Sequence, residues 1–418
     1  MSLRFSWLIL LPAFAISQEE PGENATPKRL EWSGNLDVKY SIFHMSQSSP
    51  GYRLQFYNKN VDPYLSQYRL EPYLNAEYRI QDLGFQLKTH GTYFSDKESS
   101  FDLFEAYGSY APSPNFATQA GKRVYNWGKG YAFNPVGFVN PAKDPENPEL
   151  AQAGLLSINA EYIKSFSSEA LQSFSALLVI IPQYPVVNNR FGETKYTDFG
   201  MKLSFLLWNT DIDLLTYQSS LAPSQYGLDL STNLLENIEV HAELNMAKQA
   251  RRYFIANGFL QSEQDDIASY LFGFRYLNEW NTTLIAEYYR NGSGFTKEEY
   301  QSYDDFLVSN LAVGTPAAVQ QTLGISQTYF KSSTLMRDYL YLKISQPEPF
   351  DWLYFTPSLF SIYNLNDKSF LISASLNYKP TTNVEFIFWP SFLVGGESTE
   401  FGSRQAQRKV ELWMRVFF

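Results

Sequence analysis

The residue types that usually perform chemistry are scarce in this chain and badly spaced for it. Its three histidines, His44, His90 and His241, lie far apart, with no H-x-x-x-H pair, so no metal site is expected. There is no cysteine, which removes disulfides and thiolate ligands. No G-x-S-x-G occurs to seat a serine nucleophile. Gly121-Lys122 and Gly128-Lys129-Gly130 resemble fragments of a phosphate loop, but neither lysine is followed by Ser or Thr. Glu239 and Glu243 could form an acid–base pair, and Asp144, Glu146, Asn147 and Glu149 could offer hard oxygens to Ca²⁺. A charged wall and a solvated acidic loop account for both groups more simply. The expectation is a protein that is not an enzyme and needs no cofactor or metal.

What the charged residues do share is a period of two. Arg69, Glu71, Glu77 and Arg79 alternate with Tyr68, Leu70, Ala76, Tyr78 and Ile80. Lys88 and His90 alternate with Phe85, Leu87 and Tyr93, and Glu239, His241 and Glu243 with Ile238, Val240, Ala242 and Leu244. Such alternation puts the two sets on opposite faces of strands. Segments of this kind recur from Trp32 to the end, separated alternately by tight turns and long connections. About 18 strands result, with 16 as the alternative because 225–232 is short and 100–126 irregular. Residues 250–264 and 292–332 are expected among the long connections. In the second, Thr296 and Glu299 form a capping-box pattern for a helix from Lys297, and Pro316 opens another that Gly324 can end. Asp338 breaks its row, and the stretch around Trp352, apolar on both faces, is expected to contact something folded inside.

The ends and composition suggest where such a sheet resides. Arg4 precedes an apolar run over residues 5–16 with small-x-small patterns at its end, which reads as a secretory signal peptide at 1–17. Residues 18–31, polar and proline-bearing, are expected to form a disordered periplasmic lead-in, leaving 32–418 as one domain. No later run reaches the roughly 18 apolar residues of a spanning helix. An exported chain without one is either soluble or a closed barrel. Aromatic residues make up 17% of the chain, 30 Tyr and 33 Phe among them, which suits rings at two membrane interfaces. A soluble sandwich would bury the apolar row; a membrane barrel would turn it to lipid, where a midplane Lys or Arg costs about 2–4 kcal/mol. A formal net charge of −10 argues against nucleic acid as partner. The last residues, with Val410, Leu412, Met414, Val416 and Phe418 in one row, resemble the closing strand of bacterial outer-membrane barrels. The resemblance implies that barrel-assembly machinery reads Phe418, Val416 and Met414.

The most distinctive stretch, residues 121–149, holds two Asn-Pro pairs, Asn134-Pro135 and Asn140-Pro141, with Trp127, Tyr131, Phe133 and Phe138 to bury. In a wide barrel it is expected to fold inward as a constriction. Trp127, Gly128, Gly130, Phe133, Asn134 and Pro135 match a W-G-x-G-x-x-F-N-P-like pattern, and here the chain resembles outer-membrane barrels related to alginate-export porins. The tract 231–243 is similar to a strand-turn-strand of the same group. That resemblance implies passage or export of a solute, with membrane lipid, lipopolysaccharide and a periplasmic or inner-membrane transport component as partners.

The sequence therefore predicts an all-β, integral outer-membrane, antiparallel β-barrel acting as a channel for an unknown polar or amphipathic solute. Selectivity is expected from a lumenal row of Arg69, Glu71, Glu77, Arg79, Lys88, His90, Glu105, Arg123, Glu161, Glu239, His241, Glu243, Arg275, Glu287 and Arg337. The loop carrying Trp127, Gly128, Gly130, Phe133, Asn134, Pro135, Asn140 and Pro141 would narrow it. The alternative is a non-conducting barrel that binds or docks an envelope partner.

Overall fold

The computed structural model describes residues 29–96, 98–141, 143–184, 187–188 and 195–418. The signal peptide and residues 18–28 of the lead-in lie outside the described residues. Residues 29–31 are strand, not lead-in: β2 runs on to Ile80, and Leu30 and Trp32 stand opposite its Tyr78 and Ala76.

The strands are β1 (Arg29–Met45), β2 (Tyr64–Ile80), β3 (Leu83–Phe94), β4 (Ser100–Ser113), β5 (Phe116–Arg123), β6 (Leu155–Ser165), β7 (Leu171–Gln183), β8 (Tyr196–Leu207) and β9 (Thr210–Gln218). They continue as β10 (Gln225–Leu235), β11 (Ile238–Ala256), β12 (Phe259–Leu277), β13 (Thr283–Arg290), β14 (Asp338–Ser345), β15 (Phe355–Asn364), β16 (Phe370–Thr381), β17 (Val384–Val394) and β18 (Ala406–Phe417). Each pairs antiparallel with its chain neighbours in one 18-stranded sheet, and β18 closes on β1 from Asn35–Phe417 to Met45–Ala406. The result is a closed barrel with no free edge.

Alternation sorts the faces as the period of two predicts. On β1, Asp37, Lys39 and Ser41 are buried within while Val38 and Ile42 are exposed outside; on β18, Glu411 and Trp413 point in and Leu412 and Met414 out. The exterior is a continuous apolar band, a surface that belongs in lipid. Asp338, on that outer face, is held by Arg290 at 2.9 Å and the Tyr288 hydroxyl at 2.7 Å.

Short turns gather at the end carrying both termini, long loops at the other. Two expectations fail locally and a third holds only in part. Residues 250–264 are not a loop: β11 and β12 extend to a turn at Asn257-Gly258, both at positive φ (53° and 77°), the geometry an Asn-Gly pair favours in a hairpin. Gly324 does not end a helix. The insertion forms α2 (Lys297–Val313) and α3 (Pro316–Tyr329), the latter running through Gly324, since one mid-helix glycine costs only about 1 kcal/mol. A shorter helix, α1 (Pro50–Gln55), packs beside them. Finally, the stretch around Trp352 does meet what folds inside, through Phe360 and Ile362, which share a buried cluster with Ala132 and Phe133, but Trp352 itself does not. It lies in the 346–354 turn, half exposed, and stacks outside the barrel on Phe355 at 4.4 Å and near Tyr378 at 5.7 Å.

An arginine on the outer face should be far costlier than one inside. Leu412→Arg is expected to lose about 2–4 kcal/mol in urea titrations of the barrel in lipid vesicles, and Glu161→Arg, on the inner face, much less.

Candidate functional site

The site is built around residues 124–154, which leave β5, fold into the lumen and return to β6. Trp127, Ala132, Phe133, Val136, Phe138 and Val139 are buried there. Trp127, Val136, Phe138 and Val139 pack on inward Leu177, Val179 and Ile181 of β7 and Leu215 and Tyr217 of β9. Phe133 stacks on Tyr289 of β13 at 4.5 Å. The wall makes room for them: a Cβ on Gly200 would lie 2.9 Å from the Trp127 ring, and one on Gly227 3.0 Å from the Phe138 ring.

The loop's conformation follows from its own residues. Both asparagines of the Asn-Pro pairs bind the Trp127 backbone: Asn134 and Asn140 donate to its carbonyl at 2.5 and 2.9 Å, and the Asn140 side chain accepts from its N–H at 3.2 Å. Gly128 sits at φ +92°, where a Cβ would collide with Asn134 and crowd Glu243. That freedom brings the backbone onto two buried wall carboxylates. Glu243 accepts from the N–H groups of Lys129 and Gly130, both at 2.6 Å, and more weakly from Val136 at 3.3 Å. Glu287 accepts from Tyr131 and, at 2.9 Å, from Ala132, and it also meets His241 at 3.0 Å. Hydrogen bonds to a carboxylate are among the stronger kind, and here they give the loop's buried N–H groups the partners they would otherwise lack.

The loop also brings charge. Asp213, Asp229 and Glu243 stand side by side on β9, β10 and β11. Lys129 reaches into this row, 3.4 Å from Asp213 and 4.0 Å from Asp229, with Lys202 also 3.4 Å from Asp213. Lys143 donates to the carbonyls of Gly130 and Tyr131. Burial pushes the Lys143 ammonium below its usual range, with Glu243 and Glu287 pulling it back up.

The other expected residues scatter around the wall. Arg69 binds Glu411 at 2.7 Å, Glu71 binds Lys39 at 2.6 Å, and Lys88 binds Glu105 at 2.5 Å. His90 stacks on Tyr73 at 4.3 Å. Arg123 donates to Gln119 and lies 4.9 Å over Tyr125. Glu77 and Arg79 pair with each other at the short-turn rim. Glu161 is in no ion pair among the described residues. Arg275 stands opposite Glu239 in register and, with His241, lines a cavity of about 440 Å³. Arg337 is not part of the wall: it precedes β14, because the chain there crosses to pair Met336 with Phe295, and it donates to the Gly294 carbonyl at 3.0 Å. Met414, Val416 and Phe418 face outward at the β1–β18 seam, where the Phe418 backbone exchanges two 3.0 Å hydrogen bonds with Gly34.

Beside the loop, a cavity of about 600 Å³ remains against β1–β4 and β14–β18, lined by Lys39, Lys88, Lys343, Arg415, Trp389 and Trp413 among others. Several charged groups in or near it lay outside the expected selectivity row: Asp37, Lys39, Glu411 and Arg415, and on the far wall Asp213 and Asp229. The same parity rule, carried through every strand, would have found them.

Replacing one clamp should free the loop before the barrel yields. Glu243→Leu leaves three N–H groups unpartnered, at about 1–3 kcal/mol each if they stay buried. Limited proteolysis should then cut within 124–154 while the unboiled protein keeps its compact gel mobility; unchanged resistance would show that the carboxylate does not hold the loop.

No protein-family model matches the chain, and no curated protein sequence matches it. Solved structures do. Pseudomonas aeruginosa OccK8 (OprE) superposes with a TM-score of 0.58 at 8% identity, covering 93% of this chain and 98% of that one. OccK2 (OpdF) from the same organism, solved in complex with glucuronate, gives 0.54 at 10%, covering 93% and 98%. A BenF-like porin from Pseudomonas fluorescens Pf-5 gives 0.53 at 10%, again covering 93% and 98%. At such identities the likeness establishes a shared architecture: this chain has the 18-strand antiparallel barrel fold of those porins.

Proposed function

We propose that the protein is an integral outer-membrane channel that passes a polar or amphipathic solute, with residues 124–154 narrowing its lumen. The observation that carries this reading is the pairing of an apolar exterior with a charged interior that the inward loop fills only in part. An apolar exterior around a closed sheet is stable in lipid, where every backbone group must find its partner within the protein. An interior of carboxylates, ammonium groups and guanidinium groups has no packing role in so wide a barrel and suits a wet path. The solved barrels of the same architecture include porins, which supports the channel over a purely structural barrel. In this reading the long-loop end faces lipopolysaccharide, the short-turn end faces the periplasm, and the outward Met414, Val416 and Phe418 serve barrel assembly.

Planar-bilayer recordings test the proposal. The intact protein is expected to give steady single-channel steps, and a variant lacking residues 127–141 larger ones. Silence from both would replace the channel with a binding or docking barrel.

A further inference from the structure

The cavity beside the loop carries charge on its walls, yet none of that charge is free. Lys39, Lys88, Glu146, Glu149, Lys343 and Arg415 are the charged side chains that line it. Lys39 pairs with Glu71 at 2.6 Å and Lys88 with Glu105 at 2.5 Å. Glu146 pairs with Arg404 at 2.8 Å, Glu149 with Lys343 at 3.2 Å, and Arg415 with Asp37 at 2.8 Å. Second acids back two of the cations, Asp37 at 3.5 Å from Lys39 and Glu385 at 3.3 Å from Arg415. An anionic solute would have to break one of these pairs and strand its carboxylate, which removes most of the gain. An uncharged solute faces no such exchange.

The cavity also offers flat apolar surface and uncommitted polar groups. Tyr131, Tyr341, Phe360, Trp389 and Trp413 form an unbroken arc, with successive ring centroids 5.9, 5.9, 6.4 and 5.3 Å apart. Between β15 and β17, β16 contributes small serines. One of them, Ser373, accepts from the Trp389 indole N–H at 2.7 Å and fixes that ring. Lys39 already covers Trp413 at 4.0 Å, so Trp389, only partly buried, is the indole left for a solute. Asn75, Ser345, Thr356 and Ser358 line the same cavity, and among the described residues their side chains make no hydrogen bond.

We propose that this cavity is a binding site for a neutral carbohydrate, with a sugar ring laid on Trp389. The C–H face of a pyranose is apolar and slightly positive, which matches the negative face of an indole. Its rim of hydroxyls, stripped of water, needs donors and acceptors such as the free amide and hydroxyls here. A volume of about 600 Å³ is of the size that small-molecule sites occupy. The proposal rests on the channel reading and names the class of solute for it.

The test uses the full-length barrel in planar bilayers, with maltose, glucuronate and open-chain sorbitol added in turn. Maltose is expected to reduce the current saturably, binding at least about tenfold more tightly than the other two. Trp389→Ala should weaken maltose by about tenfold with salt conductance unchanged or raised, and Trp389→Phe should weaken it less. Glucuronate binding as tightly as maltose, or maltose indifferent to Trp389→Ala, overturns the proposal. If no current appears at all, the channel reading fails, and maltose quenching of tryptophan fluorescence in detergent still decides the site. Quenching that persists in Trp280→Ala and disappears in Trp389→Ala supports it; none in the unmodified protein refutes it.

Discussion

Everything in this structure depends on closing the backbone hydrogen-bond ladder. A sheet with an apolar exterior cannot leave N–H and C=O groups unpaired along an edge, because lipid supplies no substitute partner. The junction of β1 with β18 removes the last edge, and it does so in register from Asn35 with Phe417 to His44 with Arg408, then past one irregularity to Met45 with Ala406. Once that seam is made, parity follows for every residue on both strands. Asp37, Lys39 and Ser41 fall inside, where Glu71, Arg415 and Glu411 can meet them. A slip of one residue would carry Lys39 and Asp37 to the outer face.

Inside the cylinder a second constraint takes over. Charged groups that are buried there are removed from water, so they are tolerable only with a partner, whereas a more exposed one such as Glu161 can stand without an ion pair among the described residues. The structure meets this in two ways. Against β1–β4 and β14–β18, side chains pair across neighbouring strands and leave open space between them. Against β7–β13, the partner is the backbone of the inward loop, with Glu243 and Glu287 gathering its N–H groups. The loop thus divides the lumen into a filled half and an open half. The apolar inner faces of β7 and β9 explain which half is filled, since Leu177, Val179, Ile181 and Leu215 would otherwise line water.

The strand pattern was legible to a high degree because its cause is local. A period of two is written into each short segment, and the polarity of Glu239, His241 and Glu243 against Val240, Ala242 and Leu244 needs no knowledge of the rest of the chain. Errors arose where local patterns admit two outcomes. Residues 250–264 are polar enough for a loop, but Asn257-Gly258 lets two long strands turn back on each other instead. Gly324 is a plausible helix end that neighbouring helix-forming residues override. The stretch around Trp352 is apolar on both faces and does send Phe360 and Ile362 inward, but an apolar turn at the rim of a barrel can also lie against the outer face, as Trp352 does.

Alone, the amino-acid order determined which side chains share a face, that the strands number about 18 or 16, and that residues 121–149 carry enough apolar and proline content to be held somewhere. It could not say what holds them. Glu243 and the backbone of Lys129 and Gly130 are separated by more than a hundred residues and meet only because the barrel curves back on itself. The same curvature decides that the cations beside Trp389 are all neutralised, since Glu71, Glu105 and Asp37 reach them from neighbouring strands. Face is a property of a segment; partnership across a lumen is a property of the closed cylinder.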